Sequence, residues 1–245
     1  MFYNAFAFNQ DLGDWCDADG LLKSQDFAHT ACDQWDDPVC GADGLMTGDC
    51  KCGKNEVYQM NDESIRAAVT ALNSGESTAT YGRIACWDTS KVTDMSDLFN
   101  YAYTFNQEIG NWNVSSVTDM RAMFDGAKGF NHDIGNWDVS AVTDMSKLFR
   151  EAAAFNQDIS NWDVGAETKM EKVFFGARVF NQGIGDWDVS AVTTFLGMFY
   201  NAQEFNQDLN WCASPGQVLT DAFIGTACAS DILSLIHISE PTRPY

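Results

Sequence analysis

Apolar residues recur along the chain with a step of 25 residues, in nine columns. One unit places them at Phe105, Ile109, Trp112, Val114, Val117, Met120, Met123, Phe124 and Ala127. The next repeats them at Phe130, Ile134, Trp137, Val139, Val142, Met145, Leu148, Phe149 and Ala152. Neither a helical period nor strict alternation spans a unit, so the backbone must change conformation within each one. The part Phe-Asn-Gln-Asp-Ile-Gly-Asn-Trp-Asp-Val reads as a short extended segment with a turn at Gly or Ser. The part Val-Thr-Asp-Met-x-x-Met/Leu-Phe-x-x-Ala reads as one or two helical turns, with Thr or Asp as N-cap and Met, Phe and Ala on one face. A single unit buries little, whereas stacked copies make every column continuous. The expected fold is an α/β repeat solenoid of about six 25-residue coils, each a short parallel strand plus a short helix. Its strands should lie about 4.8 Å apart, with right-handed crossovers.

The constant columns have structural uses that come before any chemical one. Trp87, Trp112, Trp137, Trp162, Trp187 and Trp211 are expected to stack as core, since each brings a large area to bury. Asn106, Asn131, Asn156, Asn181 and Asn206 are expected to satisfy turn backbone groups. The acidic columns Asp88, Asp138, Asp163, Asp188 and Asp94, Asp119, Asp144 read as turn and helix caps. No Asp-x-Asp-x-Asp-Gly loop supplies the 6 to 8 oxygens calcium takes. The candidate binding face is the column Gln107, His132, Gln157, Gln182 and Gln207. One unit departs from the pattern: Glu167 stands where valine is usual and Lys169 replaces an Asp. A charge in a core column is costly, so an outward bend exposing Glu167 is expected.

The ends of the pattern organise the chain. Trp15-Cys16, Phe27 and Cys32 are spaced like Trp211-Cys212, Phe223 and Cys228, giving two cysteine-bearing C-terminal caps and the expected disulfides Cys16–Cys32 and Cys212–Cys228. The pairing of Cys40, Cys50, Cys52 and Cys86 stays open. Residues 1–35 then form the end and cap of a truncated first array, with Met1 in the slot of an internal repeat Met, so the true start is expected to lie upstream. Residues 36–60 read as a linker and 61–83 as an N-terminal cap helix, opened by Asn61-Asp62-Glu63-Ser64 and closed near Asn73-Ser74-Gly75, with Ile65, Ala68, Val69 and Leu72 on one face. Residues 84–230 form the second array. Residues 231–245 resemble translated sequencing-adaptor read-through and are expected to be non-native.

Charge narrows the function. With 35 acidic and 14 basic side chains the net charge is −21, the wrong sign for phosphate neutralisation and for an anionic membrane surface. No nucleic-acid partner is expected, and no stretch reaches the roughly 18 apolar residues of a membrane span. Eight cysteines in a repeat-rich acidic chain fit an oxidising compartment; Cys50-Lys51-Cys52, with no His nearby, does not make a zinc site. His29, His132 and His237 are scattered, and no nucleophile has a base at suggestive spacing. No catalytic residue, metal or cofactor is expected.

Val-Thr-Asp-Met-Ser-x-Leu-Phe-x-x-Ala-x-x-Phe-Asn-Gln-Asp-Ile-x-x-Trp-Asp-Val resembles the repeat of BspA-like leucine-rich-repeat surface proteins, the mycoplasma-type domain of unknown function. The likeness covers about residues 84–228 and again 1–32. The resemblance implies a leucine-rich-repeat-like solenoid, secreted or on the cell surface, with adhesion or recognition of protein or glycan as its usual proposed role. A passive spacer or coat protein without a specific ligand is the alternative.

Overall fold

In the computed structural model the chain divides into two compact units, 1–56 and 57–245. The structure describes residues 57–75, 80–166, 169–209, 211–213, 220–227 and 236–238. The expectations for Cys16, Cys32, Cys228, Glu167 and the Cys212 side chain lie outside the described residues. Cys86 is disulfide-bonded. Among the described residues no helix is long and apolar enough to cross a membrane.

The second unit opens with strand β1 (Tyr58–Gln59), so residues 57–60, expected to close a linker, already belong to the packed body. β1 pairs in parallel with β2 (Trp87–Asp88), and Met60 is fully buried. Between them runs helix α1 (Asp62–Ser74). Its start is fixed by a reciprocal cap: Asn61 Oδ1 accepts from the N–H of Glu63 and Ser64, and Ser64 Oγ accepts from the N–H of Asn61. Its end is fixed by Gly75 at φ +73°, a left-handed cap that glycine adopts without steric cost. Ile65, Ala68 and Val69 are buried against the first coil.

The same helix supplies what a preceding coil would supply. Inside the stack the N–H of Thr118 donates to the carbonyl of Thr93, one coil earlier, at 2.9 Å. Thr93 has no earlier coil, and its N–H donates instead to the Asp62 carboxylate at 2.7 Å, joined by its own hydroxyl at 2.8 Å and by the N–H of Asp94 at 3.1 Å. Arg66 reaches the Ser96 carbonyl at 2.6 Å and pairs with Asp94 at 2.8 Å. Orphan donors at the open end are thus satisfied by side chains.

Successive 25-residue units stack in parallel register, but neither half takes the conformation expected of it. The half read as helical turns carries the coil-to-coil backbone ladder. In the first coil the N–H groups of Met95, Asp97, Phe99 and Tyr101 donate to the carbonyls of Asp119, Arg121, Met123 and Asp125 at 2.7–2.9 Å. The intervening Leu98, Asn100 and Ala102 close turns on Met95, Asp97 and Phe99. Such alternation requires φ > 0 at the third position of every second turn. It recurs at Asp97 and Tyr101, Ala122 and Gly126, Lys147 and Glu151, Lys172 and Gly176, Gly197 and Asn201, and Asp221 and Gly225, with φ between +54° and +76°. A left-handed residue every fourth position forbids a helix, which is why the Met and Phe spacing misleads. The half read as a strand is a run of turns, among them Trp112 N–H to the Ile109 carbonyl and Val117 N–H to the Val114 carbonyl.

The core is a set of aromatic files. Phe99, Phe124, Phe149, Phe174, Phe199 and Phe223 stack with centroids 5.4–5.7 Å apart. Phe105, Phe130, Phe155, Phe180 and Phe205 form a second file at 5.9–6.0 Å. The tryptophans are buried beside them. Each indole from Trp112 to Trp211 donates to the carbonyl of an isoleucine in the coil before, as Trp162 does to Ile134 at 3.1 Å. Starting at the last Trp, strand β3 (Trp211–Ala213) pairs in parallel with β4 (Ile236–Ile238), Trp211 facing Ile236. β4 falls in the segment read as adaptor-derived. A short extended apolar run can join an open edge through main-chain bonds alone, whatever its origin.

Candidate functional site

The column expected to form the binding face is largely committed to holding the coils together. Gln157 Nε2 donates to the Asn131 carbonyl at 2.8 Å; Gln182 and Gln207 donate likewise to the carbonyls and Oδ1 atoms of Asn156 and Asn181. The asparagines themselves form a ladder. Each Oδ1 from Asn106 to Asn181 accepts the backbone N–H of the next Asn in the file, at 2.8–2.9 Å. Gln107 is exposed and His132 half-buried at one end of this column.

Most residues of the acidic columns make turns. Asp88, Asp138, Asp163 and Asp188 each accept from the N–H two residues on, as does Asn113 in the same column, and Asp94, Asp119 and Asp144 repeat the motif at a second corner. Ser90, Ser140 and Ser190 hold the carboxyls of Asp88, Asp138 and Asp188 below the ordinary carboxylate range. In the atypical unit Lys169, standing where the three preceding units carry Asp, bonds Asp144 at 2.9 Å. Burial works against the ionised Asp144, but Lys169 and Ser146 hold its pKa below the usual value.

A different arc of the coil carries the backbone ladder and turns inward one phenylalanine file, but its remaining side chains face out of the core. It comprises residues 96–104 and their equivalents 121–129, 146–154, 171–179, 196–204 and 220–227. Of the five exposed large apolar side chains among the described residues, Tyr101, Tyr103, Val179 and Ile224 belong to it, and Val57 does not. So do Arg121, Lys128, Lys147, Arg150, Lys172 and Arg178, which balance six acids there, while the intervening segments of the repeats from 105 to 219 carry eleven acids against Lys169 alone. The arc is therefore charge-neutral on a strongly acidic chain.

Its side chains are organised across coils. Arg150 Nε lies 2.9 and 2.8 Å from the two oxygens of Asp125, and its Nη2 lies 3.1 Å from the Tyr101 hydroxyl, tying three coils together. Burial raises the Asp125 pKa despite Arg150. The Lys128 ammonium sits 5.2 Å from the Tyr103 ring centre, and Phe175 stacks on Tyr200 at 4.8 Å. Tyr101, Gly126, Glu151, Gly176, Asn201 and Gly225 alternate bulk with its absence. A Cβ on Gly126 would meet the Tyr101 ring at 2.6 Å, and one on Gly176 would meet the Glu151 carboxyl at 2.8 Å. Sequence reasoning missed these residues because it followed the constant columns; the signal was in those that change from unit to unit.

The family model described as "Mycoplasma protein of unknown function, DUF285" matches residues 69–171 and 134–232. No curated protein and no solved structure matches the chain.

Proposed function

Because the chain belongs to this mycoplasma-type repeat family of unknown function, we propose that it is a non-catalytic recognition module acting outside the cell, built as an open BspA-like, leucine-rich-repeat-type solenoid. It binds a protein partner through the arc carrying Tyr101, Tyr103, Lys128, Arg150, Phe175 and Tyr200. One observation carries this reading: the outward side of this arc gathers most of the repeat cations and the exposed rings Tyr101 and Tyr103 of an otherwise acidic array, a concentration that a spacer has no need of. Tyrosine and arginine are the residue types that dominate binding energy at protein interfaces.

A protein suits the arc better than a glycan. A sugar ring packs on an open aromatic face, whereas Lys128 covers one face of Tyr103 and Tyr200 one face of Phe175. Edges, hydroxyls and guanidinium groups remain to meet a surface of mixed polarity. The disulfide at Cys86 suits an oxidising compartment.

The test is a screen of cell-surface proteins and glycans against the wild-type chain and the variant Tyr101→Ala/Arg150→Ala/Tyr200→Ala. A specific protein partner should be found whose affinity drops by roughly 30-fold or more in the variant. Uniform non-binding by the wild type sinks the recognition reading and leaves the spacer.

A further inference from the structure

Asn113-Val114-Ser115 is the chain's one Asn-x-Ser/Thr triplet, the acceptor signal for N-linked oligosaccharide in secreted proteins. It stands in a column that otherwise holds aspartate: Asp88, Asp138, Asp163 and Asp188. A carboxylate makes the corner turn equally well, so the turn alone does not call for an amide here. Asn113 is exposed. Its Oδ1 accepts from the N–H of Ser115 at 3.1 Å and from the Ser115 hydroxyl at 2.8 Å, which leaves Nδ2 with no hydrogen bond among the described residues. The two ends of the amide are thus divided: oxygen holds the corner, and the nitrogen of this exposed residue is not engaged in it.

We propose that Asn113 carries an N-linked glycan. The inference rests on the extracellular reading above in requiring passage through a secretory compartment. The donor class is a lipid-linked pyrophosphate oligosaccharide. The bond from its first sugar C1 to the pyrophosphate oxygen breaks, C1 bonds Nδ2 of Asn113, Nδ2 gives up one proton, and lipid pyrophosphate leaves. Because Oδ1 is untouched, the folded coil accommodates the product without losing its turn. Asn113 lies outside the arc of Tyr101 and Arg150, so the glycan clothes part of the acidic repeat surface while the proposed recognition residues stay bare.

The experiment is translation of the full chain, fused to a cleavable export leader, with endoplasmic-reticulum microsomes. Protease-protected wild-type chain should shift to higher mass, and an N-glycan-cleaving amidase should reverse the shift. Asn113→Asp, which installs the residue the other coils carry and so spares the fold, should abolish the shift, as should Ser115→Ala; Ser115→Thr should retain it. A translocated, protected wild-type chain without the shift, or a shift that survives Asn113→Asp, overturns the proposal. The leader forces entry, so failure here leaves the recognition reading standing. Failure of the binding screen does not touch the glycan. On the chain isolated from its source, the tryptic peptide Val92–Arg121 should show Asn113 converted to Asp after amidase treatment; an unmodified Asn113 overturns the proposal equally.

Discussion

Asn156 is bonded on both sides of its coil. Its N–H donates to Asn131, and its Oδ1 accepts from the N–H of Asn181 and from Gln182. Asn156→Ala strands those donors and should cost about 1–2 kcal/mol, read by chemical denaturation; Asn156→Asp, which keeps the acceptor, should cost less. Gly126 makes a second test. It sits at φ +71° with the Tyr101 ring where a Cβ would go, so Gly126→Ala should destabilise by about 1–2 kcal/mol from the left-handed backbone alone. Tyr101→Ala in the same chain should remove the steric share of that loss and leave the backbone share. A cost that is unchanged in the double variant would show that the ring does not press on this glycine.

At the scale of the coil, the indole of Trp162 is buried and donates to the Ile134 carbonyl. Trp162→Phe keeps an aromatic in the file but leaves that carbonyl unpaired, with an expected loss of about 1–3 kcal/mol. Phe174→Ala opens a void between two stacked rings and should cost about 3–5 kcal/mol. A fall of the two variants in the reverse order would mean that the rings matter less than the ladder. The stacking columns were readable because burial imposes a period on the sequence, and α1 was readable because Asn61 and Gly75 mark its ends. The conformation within each coil was not. Ala122, Lys147 and Glu151 adopt left-handed backbone although nothing in their side chains favours it. The demand comes from bonding to the next coil, which a local reading of Met and Phe spacing does not contain. The arc proposed for recognition was missed for a related reason: attention to repetition passes over residues whose significance lies in differing.

For the described body as a whole, much of the acidity is a by-product of corner construction, since many of its aspartates cap turns. Asp88, Asp94, Asp138, Asp158 and Asp188 have pKa values lowered by such turn bonds, Asp62 by the Thr93 and Asp94 donors, and Asp144 by Lys169 with Ser146. A carboxyl depressed on folding stabilises above its unfolded pKa, and that contribution is lost as pH falls through the folded value. Asp125, raised by burial, has the opposite sign and is outnumbered. Thermal stability should therefore decline below about pH 4. At neutral pH, where a net charge of −21 repels itself, added salt should raise the melting temperature; a chain insensitive to salt would contradict this. The alternation of Tyr101, Gly126, Glu151, Gly176, Asn201 and Gly225 reaches further, to how such a protein can change length. Its backbone repeats every 25 residues, but this file of side chains repeats only every second unit. Excising one unit brings glycine onto glycine or bulk onto bulk; excising two restores the interlock. Shortened chains should fold better when units are removed in pairs, so gene duplication acting on this array should favour even steps.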